Sequence, residues 1–522
     1  MDSACLRHTE IPHTSRLFAD FLYHFDRVAP FYSHPQGDFE RAAAEIDYPG
    51  ERRAALVRVL REQNGDSPSL ELLAKPGTVA VVTGQQVGLF SGPAYTIYKA
   101  LTAARLAREL TARGTPAVPV FWLATEDHDF AEVGKVWIFD GAHQPVALEV
   151  AGPAGSQQPV GGIHLDSFPV AALEETLRPF PFGAEVAELV GRAYPAGATM
   201  GGAFKTLLRE LLSQYGLLFV DPLCPELRAI GAPLLAKAVE NVVDLKALLV
   251  ERNRALTSAG YHAQVHIEPQ TSLFFLLENG RRVTLRRQDG AYVSKDRRYS
   301  PEELAGRASE LSPNALLRPV LQDYILPTVT YIGGPAELAY MAQAQVLYST
   351  LLGRMPVVTP RAAFTLLDAR AAKLLERYGL TMAQVFAGND ALAGHIAQAL
   401  LPSSTVREFA DTTAEITARI DRLGSRLNQF DPTLGAALGK SRAKILYQLA
   451  KLEHKAASEA MRRQERAQSD AAYLSGLLFP HQHLQERLYS ILPFLAQHGF
   501  GLIDRVYENV RLECHDHQVL TV

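Results

Sequence analysis

Val79–Lys99, VAVVTGQQVGLFSGPAYTIYK, is the stretch on which the reading of this 522-residue chain turns. The valine-dense Thr78–Val82 predicts a strand, and glycines at 84, 88 and 92 predict a loop. Pro93 suits a first helical position and Gly114 sits just past the last periodic residue, which brackets a helix. Backbone amides at such a loop and helix start form an anion site. Gly84, Gln85, Gln86, Gly88, Gly92, Tyr95 and Lys99 are therefore read as binding residues. The glutamine amides suit hydroxyls or carboxylates, and the Lys99 side chain leans back toward the helix start. The pattern matches neither G-x-x-x-x-G-K-[ST] nor G-x-G-x-x-G. A tight turn with a surface lysine would explain the same residues without a ligand.

Val118–Ala124 (VPVFWLA) is a continuous apolar run, as expected for a strand covered on both faces. Strand, helix, strand implies a parallel βαβ unit with a right-handed crossover. Gly216–Asp221, Thr328–Ile332 and Pro356–Thr359 supply further strands. SGPAYTIYK at 91–99 is echoed by GGPAELAYM at 333–341. Two such helix starts on one parallel sheet face the same edge, where open α/β sheets bind ligands. The fold class is therefore α/β. Residues 1–75 read as a helical cap, with Leu17, Phe21, Phe25 and Val28 at helical spacing. Residues 76–372 read as the core, interrupted by insertions near 134–200 (some strands) and 260–300. In the latter, Asn279-Gly280 and Asp289-Gly290 signal hairpins. Pro225–Ser258 and Leu484–His498 each read as one helix.

Residues 373–480 read as a helical coiled-coil domain, and 481–522 return the chain to the core. Ile416, Ile420, Leu423, Leu427 and Phe430 form a heptad seam. Asp431-Pro432 turns the chain, and Leu434, Leu438, Ile445, Leu449, Leu452 and Ala456 continue the seam in a second, antiparallel helix. The hairpin's charges read as a solvated face. Its apolar flanks suggest pairing with a second subunit, a homodimer.

Apolar residues make up 47% of the chain and charged ones 21%, and the net charge is 52 minus 56, or −4. No global basic field recruits nucleic acid or anionic lipid. No window approaches the roughly 18 consecutive apolar residues of a membrane span. The N-terminal MDSACLRHTEIPHTSRL lacks the pattern of a signal peptide. A cytoplasmic protein without nucleic-acid or membrane partners is expected. Cys5, Cys224 and Cys514 lie far apart with no C-x-x-C pair, which suggests neither a disulfide framework nor a zinc site.

Two further constellations carry chemistry. Thr125–Phe130, TEDHDF, sets carboxylates and an imidazole at the end of an apolar strand. Like charges so close cost stability unless a cation, metal or substrate amine compensates. His128 reads as general acid/base, with Glu126 and Asp127 orienting it or binding an amine. A metal would need further ligands that the sequence does not supply, so none is assigned. In LSPNALLRPVLQDYILPTVTYIGGPAELAY (311–340), Asn314, Arg318, Gly333, Gly334 and Glu337 are read as binding residues. Arg318 suits a substrate carboxylate, or pairs structurally with Asp323; Arg361 reads similarly.

TGQQVGLFSGPAYTIYKAL, PVFWLATEDHDFAEV, LSPNALLRPVLQD, TYIGGPAELAY, FDPTLG and LQERLYSILPFL occur in this order along nearly the whole chain. Together they resemble the bacillithiol biosynthesis cysteine-adding enzyme family. The resemblance implies a Rossmann-like parallel core with insertions and an α-helical antiparallel coiled-coil domain that dimerises. It implies a ligase joining the carboxyl of L-cysteine to the amine of glucosaminyl-malate, the last step of bacillithiol synthesis. A nucleotide, ATP or ADP, associates with the family, and the activator of the cysteine carboxylate is left open. Two alternatives stand beside it: a nucleotidyltransferase-like enzyme on another small substrate, or a nucleotide-sensing coiled-coil scaffold. The acidic TEDHDF cluster speaks against the scaffold, which has no need of it.

Overall fold

The computed structural model describes residues 3–153, 157–268, 270–295 and 297–522. The chain forms two compact units. One comprises Met1–Gly141, Pro145–Thr365 and Glu486–Leu520; the other comprises Ala142–Gln144, Leu366–Gln485 and Thr521–Val522.

The first unit is built on β1 (Val79–Gln86), α1 (Tyr95–Ala112), β2 (Ala117–Ala124), β3 (Leu218–Val220), β4 (Thr328–Gly333), α2 (Pro335–Leu351) and β5 (Val357–Pro360). These strands form a five-stranded sheet in the order β5-β4-β1-β2-β3, parallel at every pairing. The apolar runs are continuous because both faces are covered. Val79 and Val81 join Ala103, Leu106, Ala107 and Leu110 of α1 on one side. Ala80 and Val82 join Val118, Val120, Trp122 and the helix Pro225–Glu240 on the other. The period of two along a strand thus feeds two cores at once.

The chain leaves β1 for β2 on one side and later returns to β4 on the other. The carboxyl ends of β1 and β4 therefore flank a topological switch point, the place where open α/β sheets leave a crevice. β1 is longer than its valines suggest. Gly84, Gln85 and Gln86 continue the ladder, opposite Trp122, Leu123 and Ala124. A Cβ at Gly84 would lie 2.8 Å from the Trp122 carbonyl oxygen, so the strands approach closely because residue 84 has no side chain.

Several local expectations shift. The stripe Leu17–Val28 is not one helix, for Arg16–Tyr23 ends at His24 and 3-10 turns follow. Pro225–Ser258 is two helices, Pro225–Glu240 and Val242–Ser258, divided at the non-helical Asn241. Leu484–His498 divides into Gln485–Leu488 and Leu492–His498. Among the described residues of 134–200, Lys135–Phe139 pairs with Pro145–Glu149, and mainly helices follow. Thr271–Glu278 and Arg281–Gln288 form the expected hairpin within a second, antiparallel sheet. Both residues of the Asn279-Gly280 turn have positive φ, as do Asp289 and Gly290, the requirement of a type I′ turn. At the far end, Ser3–Leu6 pairs antiparallel with His517–Thr521, bringing the first and last strands together.

The second unit is helical. α3 (Ser403–Phe430) and α4 (Pro432–Arg462) are its long hairpin. Asp431 accepts hydrogen bonds from the Thr433 amide and hydroxyl at 2.7 Å each and so caps α4. Ile416, Ile420 and Leu427 are partly covered, whereas Leu423 and Phe430 are exposed. Among the described residues no helix is long and apolar enough to cross a membrane.

Candidate active site

At the carboxyl ends of β1, β2 and β4 lies a cleft of about 650 Å³. Gly84, Gln85, Gln86, Tyr95, Lys99, Glu126, Asp127, Asn314, Arg318, Gly334 and Glu337 line it, as do Trp122, Arg282, Tyr331 and Arg361. Three separated sequence blocks thus converge on one edge of the sheet.

The two strand–glycine–proline–helix units meet through a buried ion pair. Lys99 Nζ lies 2.5 Å from Glu337 Oε2, and it also donates to the Gly84 carbonyl at 3.0 Å and to Gln85 Oε1 at 2.9 Å. Burial pulls the ammonium's pKa down, and Glu337 holds against that pull. Glu337 accepts from the Gly334 amide at 2.8 Å and from the Tyr331 hydroxyl at 2.6 Å. Burial pushes its carboxyl up, but Lys99, Tyr331 and the Gly334 amide together outweigh this and the net direction is down. Lys99 is therefore neither surface nor free. It joins the first helix start to the second.

The loop itself is packed. Val87, Leu89, Phe90 and Ser91 are buried, and Phe90 and Ser91 have positive φ, held by the Phe90–Tyr194 ring contact at 5.0 Å and by Ser490. Gly88 and Gly92 sit where the loop folds on itself: a Cβ on Gly88 would lie 3.1 Å from Gly92 Cα. The Ala94 amide donates to the Tyr489 carbonyl at 2.7 Å. Hence the loop does not present the expected amide cradle, and Gly88 and Gly92 lie outside the cleft lining. So does Gly333, which belongs to β4 and accepts from the Arg361 amide at 2.9 Å.

The acidic cluster is divided by its surroundings. Glu126 is buried, 7% exposed, and pairs with Arg228, which also donates to the Ser309 and Leu311 carbonyls. Burial nonetheless leaves the Glu126 pKa raised, against the pull of Arg228 and Arg282. Asp127 shows the reverse. Burial pushes it up, but donations from Gln86 Nε2 at 2.7 Å and the His128 amide at 2.7 Å, with the charge of Arg282, bring it below its ordinary value. Gln86 also donates to Glu132 at 2.9 Å.

His128 receives a hydrogen bond at Nδ1 from Arg282 Nη1, 3.2 Å away. A guanidinium can only donate, so Nδ1 is the acceptor and the ring proton sits on Nε2. Burial and the Arg282 charge lower the imidazole pKa. His128 stands beside the cleft residue Asp127 but outside the lining itself, with its neutral-ring proton on Nε2. Arg282 is fixed by Ser312 Oγ at 3.0 Å, by the Pro313 carbonyl at 2.6 Å and by the Phe275 ring, 4.0 Å from its guanidinium carbon.

Arg318 does not pair with Asp323, which is bound instead by Gln322 and Tyr348. Its hydrogen bonds run to neutral acceptors, Gln322 at 2.9 Å, Tyr340 at 3.0 Å and Tyr331 at 3.5 Å. Burial works against its charge, but these hydroxyls and Glu337 keep the guanidinium's pKa raised. A cation whose hydrogen bonds go to neutral groups at a cleft wall is suited to a ligand carboxylate. Arg361 differs, because Glu486 takes it in a two-pronged pair at 2.9 and 2.6 Å. Asn314 caps the next turn, accepting from the Leu316 and Leu317 amides. Among the described residues no group of three or more His, Cys, Asp or Glu side chains is arranged to hold a metal ion.

Against known families, residues 1–362 match the model described as "Bacillithiol biosynthesis BshC, N-terminal Rossmann-like domain". Residues 364–522 match "Bacillithiol biosynthesis BshC, C-terminal coiled-coil domain". The chain belongs to the BshC family. Relatives named "Putative cysteine ligase BshC" include one from Solibacter usitatus, 55% identical with 100% of each chain covered. One from Koribacter versatilis is 36% identical over 99% of each chain. One from Salinibacter ruber is 32% identical, covering 97% of this chain and 96% of its own. In this BshC-family chain, the residues hardest to find in sequence are Arg282, which lines the cleft, and Arg228, which holds the cleft residue Glu126. Arg281 and Arg282 are chemically alike. Only strand alternation after the Asn279-Gly280 turn separates them, leaving Arg281 exposed and Arg282 buried.

Proposed function

We propose that this chain is a cytoplasmic ligase that joins the carboxyl of L-cysteine to the amine of glucosaminyl-malate, completing bacillithiol. The observation that carries this reading is the full-length likeness to relatives named as cysteine ligases. It is supported by a cleft with cationic and anionic walls, as an amide-forming site for a carboxylate and an amine requires. The nucleotidyltransferase and scaffold alternatives have no comparable support.

Amide formation from a free carboxylate is uphill in water, so cysteine reacts as an activated acyl species. Asp127, held ionised, suits the incoming ammonium and its proton. The His128 Nε2–H suits the carbonyl oxygen as negative charge develops there. Arg318 suits a malate carboxylate, and Gln85 and Gln86 suit sugar hydroxyls. ATP or ADP is the nucleotide class that the family resemblance implies. The packed Val87–Ala94 loop does not fit a polyphosphate, and no role for the nucleotide is assigned to that loop.

Deleting the gene in its host is expected to abolish bacillithiol and raise glucosaminyl-malate; unchanged thiol with no precursor rise would overturn the reading. In purified protein, Arg318→Met is expected to raise the KM for the malate-bearing substrate more than it lowers kcat, whereas His128→Phe lowers kcat.

The homodimer is supported by Leu423, Phe430, Leu434, Ile445 and Leu452 on the hairpin, each at least 40% exposed. A second copy would cover them. Sedimentation at micromolar concentration is expected to give twice the chain mass, and a single-chain mass would refute the dimer.

A further inference from the structure

Three cysteines occur in 522 residues, and two of them touch although 509 positions separate them. Cys5 Sγ lies 3.7 Å from Cys514 Sγ. The cause is the terminal sheet. Ser3–Leu6 pairs antiparallel with His517–Thr521, with Cys5 opposite Gln518 and Leu6 opposite His517. Cys514 lies just upstream of that last strand, so strand register delivers the two thiols to one place. Cys5 is exposed and Cys514 partly so, which leaves both open to a solute. Arg511 Nη1 lies 3.8 Å from Cys5 Sγ, a positive charge beside a potential thiolate. Cys224 is engaged elsewhere, donating to Glu226 at 3.0 Å.

We propose that Cys5 and Cys514 form a dithiol site that a low-molecular-weight disulfide oxidises to an intramolecular disulfide, joining the two ends of the chain. A sulfur–sulfur bond needs an approach to about 2 Å, a short closure for side chains already in contact. One protein thiolate attacks the small disulfide, forming a mixed disulfide and releasing one small thiolate. The second protein thiolate attacks the protein sulfur of that intermediate and releases the other. Two protein thiols and one small disulfide thus become one protein disulfide and two small thiols, which carry away both protons. Burial and the neighbouring Cys514 push the Cys5 thiol up while Arg511 pulls it down, so exchange quickens as pH rises toward alkaline values. The site is independent of the cleft and does not rest on the ligase reading.

The test uses the reduced full chain incubated with glutathione disulfide, quenched in acid and alkylated. Free thiols are expected to fall from three to one per chain, with intact mass before alkylation lower by two hydrogens and no glutathione retained. A non-reduced digest should yield a peptide joining Cys5 to Cys514. Cys5→Ser should instead retain one glutathione on Cys514, and Cys514→Ser one on Cys5. Unfolding in urea should slow ring closure by about tenfold or more, because the strand pairing that holds the thiols together is lost. Three free thiols after exposure, a stable glutathione adduct on the wild type, cross-linking between chains, or equal closure rates in urea would each overturn the proposal.

Discussion

In the parallel sheet, β1 and β2 bury both faces, and every residue from Val79 to Gly84 is covered. In the hairpin, α3 runs for 28 residues without burying one, and α4 buries only Ala457. The same apolar residue types occur in both, but only the sheet surrounds them. Stability in the first unit comes from burial on both sides of each strand. The hairpin has one seam and the hydrogen bonds internal to its helices, and its apolar flank remains available to a partner. The sheet therefore responds to small changes of volume, while the hairpin responds to what binds it.

The largest contrast is expected from matched truncations. Leu347→Ala, at a fully buried position of α2, should cost about 2–5 kcal/mol in urea unfolding. Leu423→Ala, at a position 48% exposed, should cost less than about 1 kcal/mol. Equal costs would break the comparison.

Acid comes next. Burial lowers His517, in the terminal sheet, to about 4, and His8, in the 3-10 turn that follows Ser3–Leu6, to about 3. The unfolded chain binds these protons first, so the stability they contribute is complete above the ordinary histidine pKa of about 6.5 and is lost as pH falls. His517 alone should account for roughly 3 kcal/mol between pH 7 and pH 4, at about 1.4 kcal/mol per unit. Urea midpoints measured across that range should fall, and less so in His517→Gln. A flat profile would exclude this.

Gly84→Ala probes the closest approach in the sheet. Its Cβ would press on the Trp122 carbonyl at 2.8 Å, and overpacking of this kind costs about 1–3 kcal/mol. An unchanged urea midpoint would mean that the strands can part. The smallest stability effect is expected for Leu452→Glu, a position 56% exposed, within about 0.5 kcal/mol for the single chain. The same variant should halve the sedimenting mass. A dimer that survives it would locate the partner surface elsewhere.

How much of this was legible follows from what each signal depends on. β1 and β2 are legible because burial on both faces writes an unbroken apolar run. The two turns are legible because positive φ at consecutive residues selects Asn-Gly and Asp-Gly. The gathering of Gln85, Glu126 and Glu337 at one edge follows from sheet parallelism, because each stands at or just after the carboxyl end of a strand. Gly88 and Gly92 illustrate the limit: a glycine needed for packing and one needed for a ligand are the same residue in sequence. Arg228 and Arg282 were hidden because their partners, Glu126 and His128, lie 102 and 154 positions away. The division at Asn241 was hidden because both flanking segments are good helix formers. Nothing local in the sequence relates Cys5 to Cys514, because their contact depends on the pairing of Ser3–Leu6 with His517–Thr521.

Trp122 gives the cleft an optical handle. The chain has two tryptophans. Trp122 is 1% exposed and forms part of the cleft wall, whereas Trp137 lies beneath the Lys135 ammonium, 4.9 Å from its ring centre, outside the lining. A Trp137→Phe chain therefore carries one indole, seated where a ligand would alter its surroundings. Its emission becomes a label-free titration signal for cysteine, for malate-bearing sugars and for nucleotides, each read separately and without turnover.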